Sequence, residues 1–209
     1  SIFTKQFLQR MINYMRISNH IISALIIFLF NAQSHCFGAD GWYFHSNWGL
    51  SNSMNSTLSI KRDNSPDIVH NAKWKAKSFS DSWYYTIKLE NWLGDKAKGI
   101  EWVHHKIYLA NPPAGLDEFS VSDGYNMLFY NIARRNSHDI ISRVGFGLVF
   151  GHPDVTFSQD ERFYMKGGAG GSYLAGLAAQ VSLEKWVYEI EHFVFSVEAK
   201  LTASYAKVP

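Results

Sequence analysis

The sequence predicts an all-β fold, an antiparallel up-and-down transmembrane β-barrel of about eight to ten strands. Apolar and polar residues alternate with a period of two along several segments, and no stretch after residue 40 keeps the 3.6-residue period of an amphipathic helix. The alternating segments run for about 9 to 15 residues, whereas soluble strands average about five or six and tilted membrane strands need about 9 to 11. Their polar faces carry small and charged side chains, which suit the lumen of a narrow barrel better than a soluble core.

The composition is compatible with a single folded domain. The chain has 209 residues, of which 46% are hydrophobic and 18% charged, so a disordered chain is excluded. Its 7 Trp, 11 Tyr and 15 Phe residues are enough to supply the aromatic girdles that flank the apolar band of a membrane barrel.

The net charge does not indicate a nucleic-acid partner. The formal charge of +2 arises from basic residues that precede residue 39, a region without acidic residues, and the remainder is about neutral. One short basic stripe stands at strand spacing, at Lys73, Lys75 and Lys77. Because a nucleic-acid binder needs a larger basic surface, we interpret this stripe as a solvated strand face.

The N-terminal region predicts a targeting segment. Residues 1–14 are interpreted as an upstream extension that takes no part in the fold. Residues 15–39 have the layout of a secretory signal peptide, with Arg16 before an apolar run over 21–30 and small or polar residues up to Ala39. The apolar run is about half of the ~20 residues that a membrane-spanning helix needs. We therefore expect cleavage near Ala39 rather than anchoring.

This interpretation has two structural consequences. Residues 16–30 are expected to form a signal-peptide helix that is detached from the barrel, because they lack strand alternation. Cys36 is the only cysteine, and its loss with the leader leaves residues 40–209, the barrel domain, without disulfides or thiolate metal ligands.

Nine strands follow from the alternation in the order of the chain. They are predicted at 42–51, 54–62, 68–78, 82–93, 99–109, 119–134, 140–152, 173–187 and 193–207. A closed barrel in lipid leaves no edge unpaired, and bacterial barrels have even strand numbers. We expect ten strands with the natural last strand missing, since no aromatic-terminated strand ends the chain, or eight if 54–62 and 68–78 form a hairpin at the rim.

The last two predicted strands show the division of faces most clearly. From Phe193 to Lys207 the apolar residues alternate with small and polar residues, which include Glu198 and Lys200. In 173–187, the residues Tyr173 and Ala175 begin the predicted apolar face. A soluble barrel that binds an apolar ligand would place its apolar residues inside, whereas here the charged face fits a lumen.

The connections predict an orientation. The short connections at 63–67, 94–98, 135–139 and 188–192 are expected on the periplasmic side of the membrane. The longer connections, above all 153–172, are expected on its external side. Four glycines within 153–172 resemble a phosphate-binding loop only weakly, because no helix follows them.

The inward-facing charged and polar side chains are the candidate site. We predict that the lumen is lined by His45, Lys88, Glu90, Glu101, His105, Arg143, Glu184, Glu198 and Lys200. Consecutive histidines at 104 and 105 point to opposite faces of a strand and cannot share a metal ion. A structural pairing of Glu101 with His105 is favoured, with acid–base work as the alternative. No catalytic set, metal or cofactor is predicted.

Two segments, Trp102-Val103-His104-His105-Lys106-Ile107-Tyr108-Leu109 and Glu198-Ala199-Lys200-Leu201-Thr202-Ala203-Ser204-Tyr205-Ala206, carry a family resemblance. With the leader and the loop asymmetry, they resemble small outer-membrane barrel proteins of Gram-negative bacteria. The resemblance implies a monomer in the outer membrane, in contact with its lipids and without nucleic acid.

The expected function is structural, or the binding of a small ligand in a polar lumen. The alternative is an enzyme that modifies lipid A or phospholipid through His45, His105 or His152 and a rim serine. Two enzymes of similar build, a lipid A palmitoyltransferase and a deacylase, would imply such a pair, but the deacylase's His-x-Ser spacing is absent. Their activities are not carried over.

Overall fold

A computed structural model describes residues 24–29, 40–61, 66–78, 83–121, 124–158, 163–164, 172–190 and 193–207. These residues form antiparallel β-sheets and no helix, which confirms the predicted all-β class. Over the same residues, no helix is long and apolar enough to cross a membrane. The strands are β1 (Ala24–Leu29), β2 (Gly41–Gly49), β3 (Ser56–Ile60), β4 (Ile68–Ala72), β5 (Trp74–Lys75), β6 (Tyr84–Leu93), β7 (Lys96–His104), β8 (Ile107–Leu109), β9 (Leu116–Val121), β10 (Tyr125–Arg135), β11 (Ile140–Gly151), β12 (Asp154–Phe157), β13 (Phe163–Tyr164), β14 (Tyr173–Ile190) and β15 (Phe193–Ala206).

The main sheet has eight strands in the order β1-β15-β14-β11-β10-β7-β6-β2. Seven of them, from β2 to β15, form an antiparallel meander, and β1 pairs with the outer edge of β15. The sheet curls into an open half-barrel, so the Tyr43 ring of β2 lies 6.4 Å from the Trp186 ring of β14. Within the described part of the chain, β1 and β2 remain edges without a hydrogen-bonded register between them.

The two faces of the curled sheet have opposite character. On β6, Thr86, Lys88 and Glu90 face the concave side and are at most 1% exposed, whereas Ile87 and Leu89 on the convex side are each 39% exposed. The same alternation runs through β7, β10 and β11, and through 194–200 of β15. Because neighbouring residues of a strand point to opposite faces, the sequence period places the charged residues inside.

A second structure, the cap, lies at one end of the main sheet. It comprises the β3–β4 hairpin and a five-stranded sheet in the order β13-β12-β9-β8-β5, all from the three long connections between main-sheet strands. Leu116, Phe119 and Val121 form its apolar core, and Leu58 and Trp74 pack against them. The short turns of β6–β7, β10–β11 and β14–β15 lie at the opposite end, called the turn end.

The cap accounts for several differences from the predicted strands. Segments 54–62 and 68–78 lie outside the main sheet, where β3 and β4 form a hairpin as in the rim-hairpin alternative. Most of the 63–67 connection lies outside the described residues, and its periplasmic assignment stays a prediction. Segments 99–109 and 119–134 each divide between a main-sheet strand and a cap strand. Alternation continues across these breaks, which is why the sequence did not reveal them.

The predicted signal-peptide helix is wrong over Ala24–Leu29. These residues form β1, and they pair antiparallel with β15 from Ala24↔Leu201 to Leu29↔Ser196. Their β-branched and aromatic side chains favour strands, and an edge strand offers unpaired backbone groups to such a segment. The rest of 16–30 lies outside the described residues, and cleavage near Ala39 stays a prediction.

The start of β14 also departs from its predicted faces. A register shift at Val149/Phe150 places Leu174 outside, 64% exposed, and buries Ala175 to 7%. Such a bulge adds one residue to a strand and reverses the facing of the residues beyond it. The outward placement of Ala175 was therefore wrong.

Candidate functional site

The concave side of the main sheet is built in three layers. At the turn end, an aromatic and apolar layer contains Tyr43, Trp92, Ile141 and Trp186. The Arg135 guanidinium stacks over two of these rings, 4.1 Å from Trp186 and 4.8 Å from Trp92. At the cap end, a second apolar layer consists of Tyr84, Val103, Met127, Phe129, Val149, Ala175 and Ala178. Between the two lies a polar layer.

The polar layer contains eight of the nine predicted lumen residues. The members are His45, Lys88, Glu90, Glu101, Arg143, Glu184, Glu198 and Lys200. Each is 2% exposed or less, although six different strands contribute them. Strand alternation brings them to one height because the registers align Lys88 with Glu101, Arg143 with Ser182, and Glu184 with Glu198.

Arg143 organises one side of the polar layer. Its Nε and Nη2 donate to the two carboxylate oxygens of Glu90, at 2.7 and 2.9 Å, and its Nη1 donates to Glu184 Oε2 at 2.6 Å. His45 Nε2 lies 3.2 Å from Glu90 Oε2. The paired contacts with Glu90 are the fork geometry in which a guanidinium binds a carboxylate most strongly.

Two lysines organise the other side. Lys88 Nζ donates to Glu198 Oε2 at 3.1 Å and to Glu184 Oε2 at 3.3 Å. Lys200 binds Glu101, and its Nζ lies 3.7 Å from Glu198. Since Glu184 contacts both Arg143 and Lys88, the two sides form one continuous network.

Neutral amides complete the network. Asn131 and Gln180 donate to Glu101 Oε2 at 2.8 and 2.6 Å, and Asn47 donates to Glu198 Oε2 at 3.3 Å. These three residues were not among the predicted set, but a signal was available. Asn47 stands two residues from His45, and Gln180 stands four residues from Glu184. Asn131 lies on the inward face of β10.

The layer is closely balanced in charge. Four glutamates face Lys88, Lys200 and Arg143, which gives −1 with a neutral His45 and zero with a protonated one. Glu184 Oε1 and Gln180 Oε1 have no hydrogen-bond partner within the described part of the chain, so the layer retains spare acceptors. Charges this deeply buried are tolerated only when they are paired.

The packing leaves little free space at this level. A Cβ atom added to Gly145 would lie 2.0 Å from Asn131 Oδ1 and 3.1 Å from Gln180 Cγ. No group of three metal-ligating side chains occurs among the residues described. The arrangement is therefore that of a filled polar core.

His105 lies apart from the polar layer. It follows the last residue of β7 at the cap end, where its Nε2 is 2.9 Å from Ser53 Oγ and its ring meets Tyr84 edge-on at 6.0 Å. The predicted pairing of Glu101 with His105 was wrong, because Glu101 binds Lys200 and the two amides instead. His105 keeps the inward facing that alternation predicts, but it stands four residues further along the chain than Glu101, at the cap end and away from the polar layer.

His104 points to the convex side, away from His105. Its ring stacks on Tyr85 at 4.7 Å, and its Nδ1 lies 2.7 Å from Asn126 Oδ1. The two histidines thus lie on opposite faces and have separate partners. Ser53, the partner of His105, stands in a connection without periodic pattern, and no signal in the sequence marked it.

Comparison with known proteins provides no family assignment. No protein-family model, curated protein or solved structure matches the chain. The function is therefore argued from the geometry alone.

Proposed function

We propose that this chain is an outer-membrane β-barrel protein with a filled lumen, whose role is structural: it holds the cap at the membrane surface. One observation carries the proposal, the reversed polarity of the main sheet. Its concave side buries eight ionisable residues, while Phe146, Leu177 and Leu183 on the convex side are 71%, 67% and 57% exposed. In water such a surface is unfavourable, whereas lipid covers it at no cost.

The height of the apolar surface supports the membrane placement. The exposed apolar residues of β6 and of the residue before it run from Trp83, 64% exposed, to Leu93, 73% exposed. The ten steps between them cover about 33 Å at about 3.3 Å per residue. At a strand tilt of about 40° this corresponds to about 25 Å, the height of the apolar band of an outer-membrane barrel.

Aromatic pairs near both ends of the convex surface give further support. Trp48 and Trp83 meet edge-on at 6.4 Å near the cap end. At the turn end, the Tyr188 and Phe195 rings lie 6.1 Å apart. Aromatic side chains favour the boundary between hydrocarbon and headgroups, so these positions fit two girdles.

The filled interior favours a structural role over ligand binding in the lumen. The polar layer has an apolar layer on each side, and its lysines and its arginine are each paired with glutamates of the same layer. A cleft of about 690 Å³ is present, but it lies at the turn end among Asp95, Arg134 and Ser137, outside the polar layer. The expected partners of the chain are outer-membrane lipids.

Cleavage of residues 15–39 as a signal peptide belongs to the same proposal. Removal of β1 would leave β15 with unpaired backbone groups, which in hydrocarbon must pair with another strand. Mass spectrometry of the protein from the membrane fraction should show an N-terminus at or next to Ala39. A protein that retains the apolar run in the mature form would contradict this part.

The proposal is tested by purification and electrophoresis. The protein should sediment with outer membranes, require detergent, and migrate faster in unheated than in heated samples. Planar bilayers that contain it should show no stepwise conductance. Purification as a detergent-free soluble protein would refute the membrane assignment, and steady conductance would refute the filled lumen.

A further inference from the structure

The cleft at the turn end opens to the convex surface of the main sheet. Arg134, Ser137, Ser142 and Leu183 are among the residues that line it. The strand registers align Arg134 with Ser142, and Ser142 with Leu183. Residues directly opposite each other on neighbouring strands share a face, and Leu183 is exposed on the convex side. The cleft therefore faces the surroundings of the sheet and not the polar layer.

Basic side chains surround the cleft on the same surface. Lys96 of β7 lies directly opposite Arg134, and Lys98 shares its face because it stands two residues further along the strand. Lys185 is exposed on β14, and its Nζ donates to the carbonyl oxygen of His138 in the β10–β11 turn. We call Lys96, Lys98, Arg134 and Lys185 the basic cluster.

The Arg134 guanidinium has donors left for an anion. Its Nε donates to Asp95 Oδ2 at 3.0 Å, and its two Nη groups have no hydrogen-bond partner within the described part of the chain. A guanidinium binds phosphate oxygens through parallel N–H donors of this kind. Two arginines, Arg134 and Arg135, and one carboxylate, that of Asp95, line the cleft. The lining thus keeps a positive charge although Arg134 and Asp95 are paired.

Hydrogen bonds within and between two turns hold the walls of the cleft. Asn136 Oδ1 accepts the backbone N–H groups of His138 and Ile140, at 2.9 and 3.0 Å. The backbone N–H of Arg135 donates to the carbonyl oxygen of Asp95 at 2.8 Å, which joins the β10–β11 turn to the β6–β7 turn. A ligand therefore meets a preformed site and does not have to order a loop.

The surface next to the cleft indicates the class of ligand. One row of residues nearer the cap, the registers align Ile132, Val144 and Val181, and all three are exposed on the convex side. Tyr130 and Phe146 continue this apolar surface in the following row. Rows on one face are two residues apart, or about 6.6 Å along the strand. A soluble anion would use the basic cluster alone, whereas a lipid with an anionic headgroup fits both surfaces.

We propose that the cleft and the basic cluster bind the headgroup of an anionic phospholipid, an inference that rests on the proposed membrane placement. The lipid belongs to the leaflet at the turn end, and its acyl chains lie along Ile132, Val144 and Val181. Its phosphate accepts hydrogen bonds from the Nη groups of Arg134. The hydroxyls of Ser137 and Ser142 are partners for the glycerol hydroxyls of a headgroup such as that of phosphatidylglycerol.

The charge of the basic cluster makes the site selective. A zwitterionic headgroup would place its own cation beside the lysines, where the two positive charges repel each other. An anionic headgroup lacks that cation. Each basic residue near an anionic lipid surface contributes about five-fold to the affinity. We therefore expect selectivity for headgroup charge between lipids with identical acyl chains.

The site is tested with the full-length protein in uncharged detergent micelles by native mass spectrometry. Dioleoyl-phosphatidylglycerol should bind at least about five-fold more tightly than dioleoyl-phosphatidylcholine. Arg134→Gln should lower the affinity for phosphatidylglycerol by about five-fold or more and leave that for phosphatidylcholine unchanged. Lys73→Gln, which removes one exposed positive charge from the cap, is the matched control and should change neither. An excess of inorganic phosphate should not displace the lipid.

The outcomes separate this site from the proposed function. A folded, heat-modifiable wild type without selectivity for phosphatidylglycerol overturns the site and leaves the membrane assignment intact. Equal losses for Arg134→Gln and Lys73→Gln overturn it too, because they would show a general charge effect. Displacement by inorganic phosphate would show a site for free anions and overturn the lipid assignment. If Arg134→Gln fails to fold, Lys96→Gln replaces it under the same expectation. A wild type that is soluble without detergent overturns the proposed function itself.

Discussion

Replacement of Arg143 by methionine tests whether the polar layer is a tightly coupled core. Methionine keeps much of the side-chain length but removes three hydrogen bonds, two to Glu90 and one to Glu184. Each charge-assisted bond contributes about 1.5–3 kcal/mol, and the loss of the arginine's own desolvation penalty offsets part of the sum. Because Glu90 and Glu184 remain buried, we expect Arg143→Met to lower the free energy of unfolding by about 3–5 kcal/mol.

The control is a solvated ion pair of the same chain. Arg134 Nε lies 3.0 Å from Asp95 Oδ2, with side chains 72% and 51% exposed, so Arg134→Met should cost less than about 1 kcal/mol. Both variants are measured by urea unfolding from lipid vesicles, followed by tryptophan fluorescence. The double variant with Glu90→Gln should recover part of the Arg143→Met loss. Equal losses for the two arginines, within about 0.5 kcal/mol, would refute the coupled network.

Three further predictions concern the convex surface, the packing and the pH dependence. Val181→Arg on the convex side, where Val181 is 49% exposed, should lower the free energy of unfolding in vesicles by about 2–4 kcal/mol. Val69→Arg in the cap, where Val69 is 72% exposed, should lower it by less than about 0.5 kcal/mol. Similar losses for the two variants would contradict a lipid-facing surface. Gly145→Ala should lower the free energy of unfolding by about 1–3 kcal/mol, because the new Cβ would lie 2.0 Å from Asn131 Oδ1. Adding Asn131→Ala to the same chain should reduce that loss. A loss that the second substitution leaves unchanged would argue against the contact. The pKa of His105 is lowered to about 4, so the unfolded chain, with a histidine pKa of about 6.5, binds this proton first as the pH falls. His105 should therefore contribute nothing above about pH 7 and make the protein about 2 kcal/mol less stable at pH 5 than at pH 7, a difference that His105→Gln should remove in unfolding titrations.

The sequence predicted the polar layer because strands have a period of two. On β15, Glu198 and Lys200 stand two residues apart on one face, and the structure buries both. The same parity relates Lys88 to Glu90 on β6. A charged residue in a long alternating segment has only two directions to point, and the small residues that share its face indicate which one is enclosed.

The remaining features depend on contacts that alternation does not encode. His105 lies just past a strand end, and its partner Ser53 comes from a connection without periodicity. The bulge that buries Ala175 adds a single residue, which leaves the apolar pattern almost unchanged. The edge of β15 decides the pairing of Ala24–Leu29, because an apolar run without alternation is compatible with either a helix or a strand.

The reversed polarity of the main sheet is tested most directly by comparing a spin label on the convex side of β14 with one in the cap. In a Cys36→Ser background reconstituted in vesicles, Leu183→Cys on the convex side and Val69→Cys in the cap are labelled with a nitroxide, and collision rates with oxygen and with an aqueous nickel chelate are measured. The membrane assignment predicts that the label at residue 183 collides with oxygen and is shielded from the nickel chelate, while the label at residue 69 shows the reverse. Free access of the nickel chelate to the label at residue 183 would contradict it.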